Sequence, residues 1–173
     1  MGNSAFTLGG GPEKATISEI NAGSDDSKFI TPHELVGSSL GQRCLSLYTV
    51  ESTTPLTTGD GKAYIRIPSS LNGHNIISVS ATLISATSTS GIPAIMIARG
   101  RQSNSTTIHS FNDVLSTGIT IDVNDWDSKD AATPSVINAS YDDLLTGDLL
   151  RIDIDAAGTG AQGLIVNIIT SLS

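Results

Sequence analysis

Three histidines, His33, His74 and His109, sit among many serines and aspartates, so hydrolytic chemistry is the first possibility the chain raises. Gly37-Ser38-Ser39-Leu40-Gly41 carries the letters of a nucleophile elbow, G-x-S-x-G. An elbow needs a strand before its serine and a helix after it. Here a short helical pattern precedes Ser39 and an alternating one follows, so the segment reads as a Gly/Ser linker. The acidic stretch Asp122-Val123-Asn124-Asp125-Trp126-Asp127 offers clustered oxygen ligands of the kind calcium prefers. Its spacing is not that of an EF-hand, because Trp126 stands at the third ligand position and Asp127 where glycine is required. The expectation is a solvated acidic loop, with Trp126 covering the end of a domain and no metal bound. Glycosidase chemistry needs two carboxyl groups at a set separation, one with a raised pKa. The aspartates here lie mostly in polar turns, where nothing would raise one. Gly158 to Gly163 lacks the Lys-Ser/Thr of a phosphate loop and reads as a hairpin connection. No catalytic residue and no cofactor are expected.

The elements that would position such groups begin with a segment of no periodicity. Residues 1–14 include Gly9-Gly10-Gly11-Pro12, and glycine loses the most backbone freedom on ordering. They read as an extended anchoring arm, with Ala5, Phe6 and Leu8 as its apolar contacts. Residues 15–41 carry two helix starts. Thr16-Ile17-Ser18-Glu19 has the spacing of a capping box, and Gly23 closes that helix early. Thr31-Pro32-His33-Glu34 repeats the signal, with proline at the first helical position and Gly37 as the stop. Helices of one or two turns are unstable alone because nucleation is costly. They need a partner surface.

Residues 42–173 alternate. Leu45 and Leu47, then Ala63, Ile65 and Ile67, then Ile77, Val79, Ala81 and Leu83 recur with period two. Ile119, Ile121 and Val123 follow, and then Leu150, Ile152 and Ile154. Ile92 to Ala98 and Leu164 to Ile169 are apolar on both faces, as central strands are. Turn signals such as Gly59-Asp60-Gly61, Asn72-Gly73 and Gly147-Asp148 separate the runs. The pattern predicts an all-β fold: an antiparallel β-sandwich, jelly-roll-like, preceded by an extended arm and two short helices.

Charge and length narrow the function. The net charge is −8, with Lys+Arg at 9 against 17 Asp+Glu, which disfavours a nucleic-acid partner. No apolar run approaches the roughly 20 residues of a membrane span, and no signal-peptide pattern opens the chain. Neither a membrane partner nor secretion is expected. Cys44 is the single cysteine, so no internal disulfide is possible.

Two stretches carry a family resemblance. Residues 15–32, Ala-Thr-Ile-Ser-Glu-Ile-Asn-Ala-Gly-Ser-Asp-Asp-Ser-Lys-Phe-Ile-Thr-Pro, followed by Leu35, resemble a segment common in fibre and appendage proteins of tailed bacteriophages. Residues 60–73, with Leu115-Ser116-Thr117, Thr120-Ile121-Asp122, Ala132-Thr133-Pro134, Val136-Ile137 and Thr146 to Asp153, are similar to a β-sandwich domain of phage and prophage structural proteins. The resemblance implies a non-enzymatic virion protein, assembled in the host cytoplasm. Its short helices would meet at a three-fold junction, burying Ile17, Ile20, Phe29, Ile30 and Leu35. The absence of a long shaft points to a homotrimeric capsid decoration protein or short head fibre. The arm would dock it on the major capsid protein or another virion protein. The alternative is a tail or baseplate fibre tip that binds a host surface glycan through His109, Trp126 and Tyr141. A glycan hydrolase is the more distant alternative.

Overall fold

The computed structural model describes residues 13–23, 27–102 and 110–172. The arm contacts Ala5, Phe6 and Leu8, and the proposed receptor residue His109, lie outside the described residues. The chain divides into two compact units, Met1–Gln42 and Arg43–Ser173.

In the first unit, α1 (Ile17–Ala22) starts at Thr16, whose hydroxyl accepts from the Glu19 N–H while the Glu19 carboxylate accepts from the Thr16 N–H. This reciprocal capping satisfies two of the helix's unpaired donors. Gly23 ends the helix in the left-handed region at φ +62°, which glycine adopts without a Cβ penalty. The second helix, α2 (Pro32–Gly37), starts at Thr31 with Pro32 at its first position. A parallel bridge between Lys14 and Phe29 closes the loop around α1. Ion pairs Lys28–Glu19 at 2.6 Å and Lys14–Glu34 at 2.7 Å tie the turns together.

The second unit is a two-sheet antiparallel sandwich. Its strands are β1 (Gln42–Pro55), β2 (Gly59–Arg66), β3 (His74–Ala86), β4 (Ala94–Arg101), β5 (Ser110–Asp113), β6 (Leu115–Thr117), β7 (Ile119–Thr120), β8 (Val136–Ile137), β9 (Leu149–Ala156) and β10 (Gln162–Leu172). One sheet has the order β1-β10-β3 and the other β2-β9-β4-β5, with β7 joined to β4 and a separate β6-β8 pair. Successive long strands therefore cross between sheets, so β1, β3 and β10 pair in one and β2, β4 and β9 in the other. That is the order of a jelly roll. The runs apolar on both faces, β4 and β10, each lie between two neighbours, which explains why they show no alternation.

The core forms where the inner rows meet. Leu47, Val79, Ala81, Leu83, Leu164, Val166 and Ile168 come from the first sheet. Ile95, Ile97, Leu150, Ile152 and Ile154 come from the second. Registered pairs Ile95–Ile154 and Ile97–Ile152 keep these side chains on one face.

Three expectations change. The register of β3 against β10 shifts by one residue at Ile76–Ser78, so Ile76 turns into the core and Ile77 faces outward. A bulge of this kind inserts one residue and flips the alternation. Val123 is exposed, and β7 stops at Thr120. The stretch after it is also more than an acidic loop. The Leu83 N–H donates to the Trp126 carbonyl at 2.7 Å and the Ser128 N–H to the Ala81 carbonyl at 3.0 Å. Residues 126–128 thus lie along the outer edge of β3 as a short fourth line of the first sheet. Trp126 flanks β3 instead of covering the end of the domain.

Candidate functional site

The outer edge of β3 is met twice by later chain. Near its start the Ile76 N–H donates to the Asp142 carbonyl and the Leu144 N–H to the His74 carbonyl. Near its end residues 126–128 pair with Ala81 and Leu83. Between these two contacts lies an open groove of about 480 Å³, lined by Ser78, Val79, Ser80, Ala81 and Thr82 on one side and by Asp127, Ser128, Lys129, Pro134 and Ser135 on the other. The Ser128 hydroxyl accepts from the Ala81 N–H at 3.0 Å, pinning the groove's far wall. Asp127 Oδ1 accepts from the Lys129 N–H at 2.8 Å, which fixes the turn that carries both residues. A smaller hollow of about 220 Å³, lined by Asp125, Trp126, Asp127 and Asp130, adjoins it through Asp127. Trp126 is 50% exposed.

The residues singled out from sequence fall in several places. In the first unit Ile17, Phe29, Ile30 and Leu35 are exposed apolar side chains, joined by Leu40, whereas Ile20 is buried. Burial leaves Ile20 to support the fold of the segment instead of offering surface. Trp126 and Tyr141 are not brought together. They flank opposite ends of β3, where Leu83 and Ile76 are seven residues apart, or about 23 Å at roughly 3.3 Å per residue. Tyr141 is half-buried against the core with the Arg99 guanidinium 5.7 Å from its ring centre.

Ser39 follows α2 and precedes β1, the reverse of an elbow, and its hydroxyl donates to Asn21 Oδ1 at 3.0 Å. His33 is exposed on α2. His74 is the buried first residue of β3, with Nδ1 3.2 Å from the Thr170 hydroxyl. Burial, with a smaller effect from the Arg43 charge, holds its pKa below the ordinary histidine value. Among the described residues no three His, Cys, Asp or Glu side chains converge as metal ligands. Oxygens in the acidic stretch are already engaged: Asp122 Oδ2 accepts from the Ala132 N–H, and the Trp126 carbonyl from Leu83.

One cluster was not anticipated from sequence. The inner row of β4 runs Ile95, Ile97, Arg99, Arg101, so two arginines extend the core face beyond its apolar part. Arg101 grips Asp148 in a bidentate pair, Nε to Oδ1 at 3.0 Å and Nη2 to Oδ2 at 2.6 Å. It also reaches Asp143 at 2.8 Å, and Arg99 donates to Asp143 as well. Asp148 is only 3% exposed and accepts from the Leu145 N–H too. Burial alone would raise the Asp143 pKa, but the hydrogen bonds from Arg101 and Arg99 outweigh it and hold the group below its usual value. This network seals one end of the sandwich. Its sequence signal was the alternate placing of two arginines at the end of an apolar strand, opposite Asp142-Asp143 and Gly147-Asp148.

Among the described residues no helix is long and apolar enough to cross a membrane. No family model matches the chain, and neither a curated protein nor a solved structure matches it.

Proposed function

We propose that this chain is a non-enzymatic structural protein of a bacteriophage particle, a homotrimeric capsid decoration protein or short head fibre. The single observation that carries the assembly part of this reading is the surface of the first unit. Two six-residue helices, their linker and the turn that follows expose Ile17, Phe29, Ile30, Leu35 and Leu40, each more than 40% accessible. Helices this short do not hold by themselves, and apolar side chains gathered in so small a unit mark an interaction surface. Fully burying one such side chain contributes roughly 1.5–3 kcal/mol. Half-exposed groups gain part of that in each of three chains, which offsets the cost of ordering a short segment.

The virion part rests on the resemblance of residues 15–32 to phage fibre and appendage segments. The jelly-roll topology, an architecture used in viral capsid domains, is consistent with it. The first unit would join copies to one another and residues 1–14 would dock them on the major capsid protein or another virion protein, with the sandwich projecting. Imaging purified particles with a label fused after Ser173 tests the placement. Labels in a regular array on the head shell support the proposal, and labels confined to the tail tip or absent from particles contradict it.

A further inference from the structure

The outer sides of the two sheets differ in charge. In the first sheet the inward pairs Leu164–Leu83, Val166–Ala81 and Ile168–Val79 belong to the core. The pairs that alternate with them, Ile165–Thr82, Asn167–Ser80 and Ile169–Ser78, therefore stand on the outer side. The Ser46 hydroxyl donates to Asn167 Oδ1, which sets Ser46 on that side too, and period two adds Cys44 and Tyr48 from β1. Tyr48 is 52% exposed, and its hydroxyl accepts from the Ser52 N–H, which fixes the ring. All of these side chains are uncharged, in a chain of net charge −8. Asp127 and Lys129, of opposite sign, stand beyond the β3 edge, in the far wall of the groove. The second sheet is unlike this. Its outer side carries Arg151 ion-paired with Asp60 and Asp153, with Asp113 on β5. Among its described residues the second unit has no α-helix to cover either side.

We infer that the uncharged outer side of β1, β10 and β3 is a second self-contact surface, packed against the same sheet of neighbouring copies around a three-fold axis. Copies of a chain with this excess of carboxylate repel one another. They pack closely only through a face that brings no carboxylates together, and the first sheet offers one. The centres of protein interfaces are depleted in charge and enriched in tyrosine, as this face is. A strongly basic partner would find no carboxylate on it to pair with. The chain also passes from Leu40 and Gly41 directly into β1, so copies joined through residues 13–41 hold their first sheets at high local concentration. To that extent the inference rests on the trimer proposed above. It goes further in making the sandwiches part of the contact.

Cys44 is the only cysteine and is exposed in the single chain, so its alkylation rate reports whether the face is covered. Iodoacetamide labelling of the full chain would be timed beside a Phe29→Asp, Leu35→Asp variant, in which the first-unit surface is disrupted. Wild-type Cys44 should react at least about tenfold more slowly, because only dissociated chains offer it. The same contrast is expected for Ser78→Cys in a Cys44→Ser background, which reads the β3 row of the face. Tyr64→Cys in that background lies on the outer side of the second sheet and should react equally fast in both. Asn167→Asp keeps the Oδ1 acceptor for Ser46 but sets a carboxylate from every copy into the contact. It should weaken the trimer at least about tenfold, since like charges brought together oppose association. A trimer whose Cys44 or Ser78→Cys thiol reacts as fast as in the disrupted variant, or one that Asn167→Asp leaves unchanged, would overturn the inference while the first-unit junction stands. A single chain at every concentration would overturn both.

Discussion

At the scale of single residues, the buried groups His74 and Asp148 and the partly exposed Glu19 set the chain's response to acid and to mutation. His74 is kept neutral by burial and, less, by Arg43, so its folded pKa lies below that of the unfolded chain. The unfolded state then binds the extra proton, and stability falls as pH drops below about 6.5. Replacing His74 with Gln, which keeps a partner for Thr170, should flatten the decline of the urea midpoint between about pH 6.5 and 5. A slope unchanged from wild type would show that His74 is not its source. Glu19 acts in a lower window. The hydrogen bond from Lys28, and then those from Thr16, lower its pKa to about 2, so its contribution is present above 4.5 and fades as pH falls toward 2. Asp148 is a buried carboxylate that holds Arg101 through both of its oxygens. Asp148→Ala removes these bonds and leaves Arg101 with Asp143 alone, and a loss of about 2–3 kcal/mol is expected in denaturant unfolding. A loss under about 1 kcal/mol would mean that solvent already screens the pair.

Elements show which parts of the fold were legible and which were not. Thr16, Glu19, Gly23, Thr31 and Pro32 predicted both helices because capping is local chemistry that needs no tertiary context. The long strands were legible because one face of each is buried and the other is not. The bulge at Ile77 was not, because Ile76 and Ile77 are equally apolar and only pairing with Ile169 and Thr170 decides which turns inward. Residues 126–128 were read as loop because their strand character comes from two hydrogen bonds to β3 and not from alternation. The groove is illegible in the sequence for the same reason: Ser78, Ser80 and Thr82 look like an ordinary solvated face until Pro134 and Ser135 are placed opposite them. Gly163 illustrates an element-scale demand carried by one residue. It sits at φ +68° in a break of the β10–β3 register, and a Cβ there would lie 2.7 Å from the Ser52 carbonyl oxygen and 2.8 Å from Ile84 Cβ. Gly163→Ala should cost at least about 2 kcal/mol through strain and overpacking. Equilibrium unfolding measures it, and a neutral result would mean that β10 can shift to admit the methyl.

For the whole molecule, the sandwich carries a full core of its own, whereas the first unit shows much of its apolar surface to solvent. That imbalance is the basis for expecting several copies to meet through residues 13–41. Phe29 and Leu35 are the most informative positions to change, because both are exposed and a charge at either leaves no buried group unpaired. The variant Phe29→Asp with Leu35→Asp should separate the copies while the sandwich keeps its wild-type unfolding midpoint. The most direct measurement is the solution mass of the full chain by light scattering, set beside that of this variant. Wild-type protein at about three times 17.8 kDa, falling to a single chain in the variant, is the expected result. A wild-type mass of 17.8 kDa across the accessible concentrations would contradict the account, and so would a trimer indifferent to both aspartates.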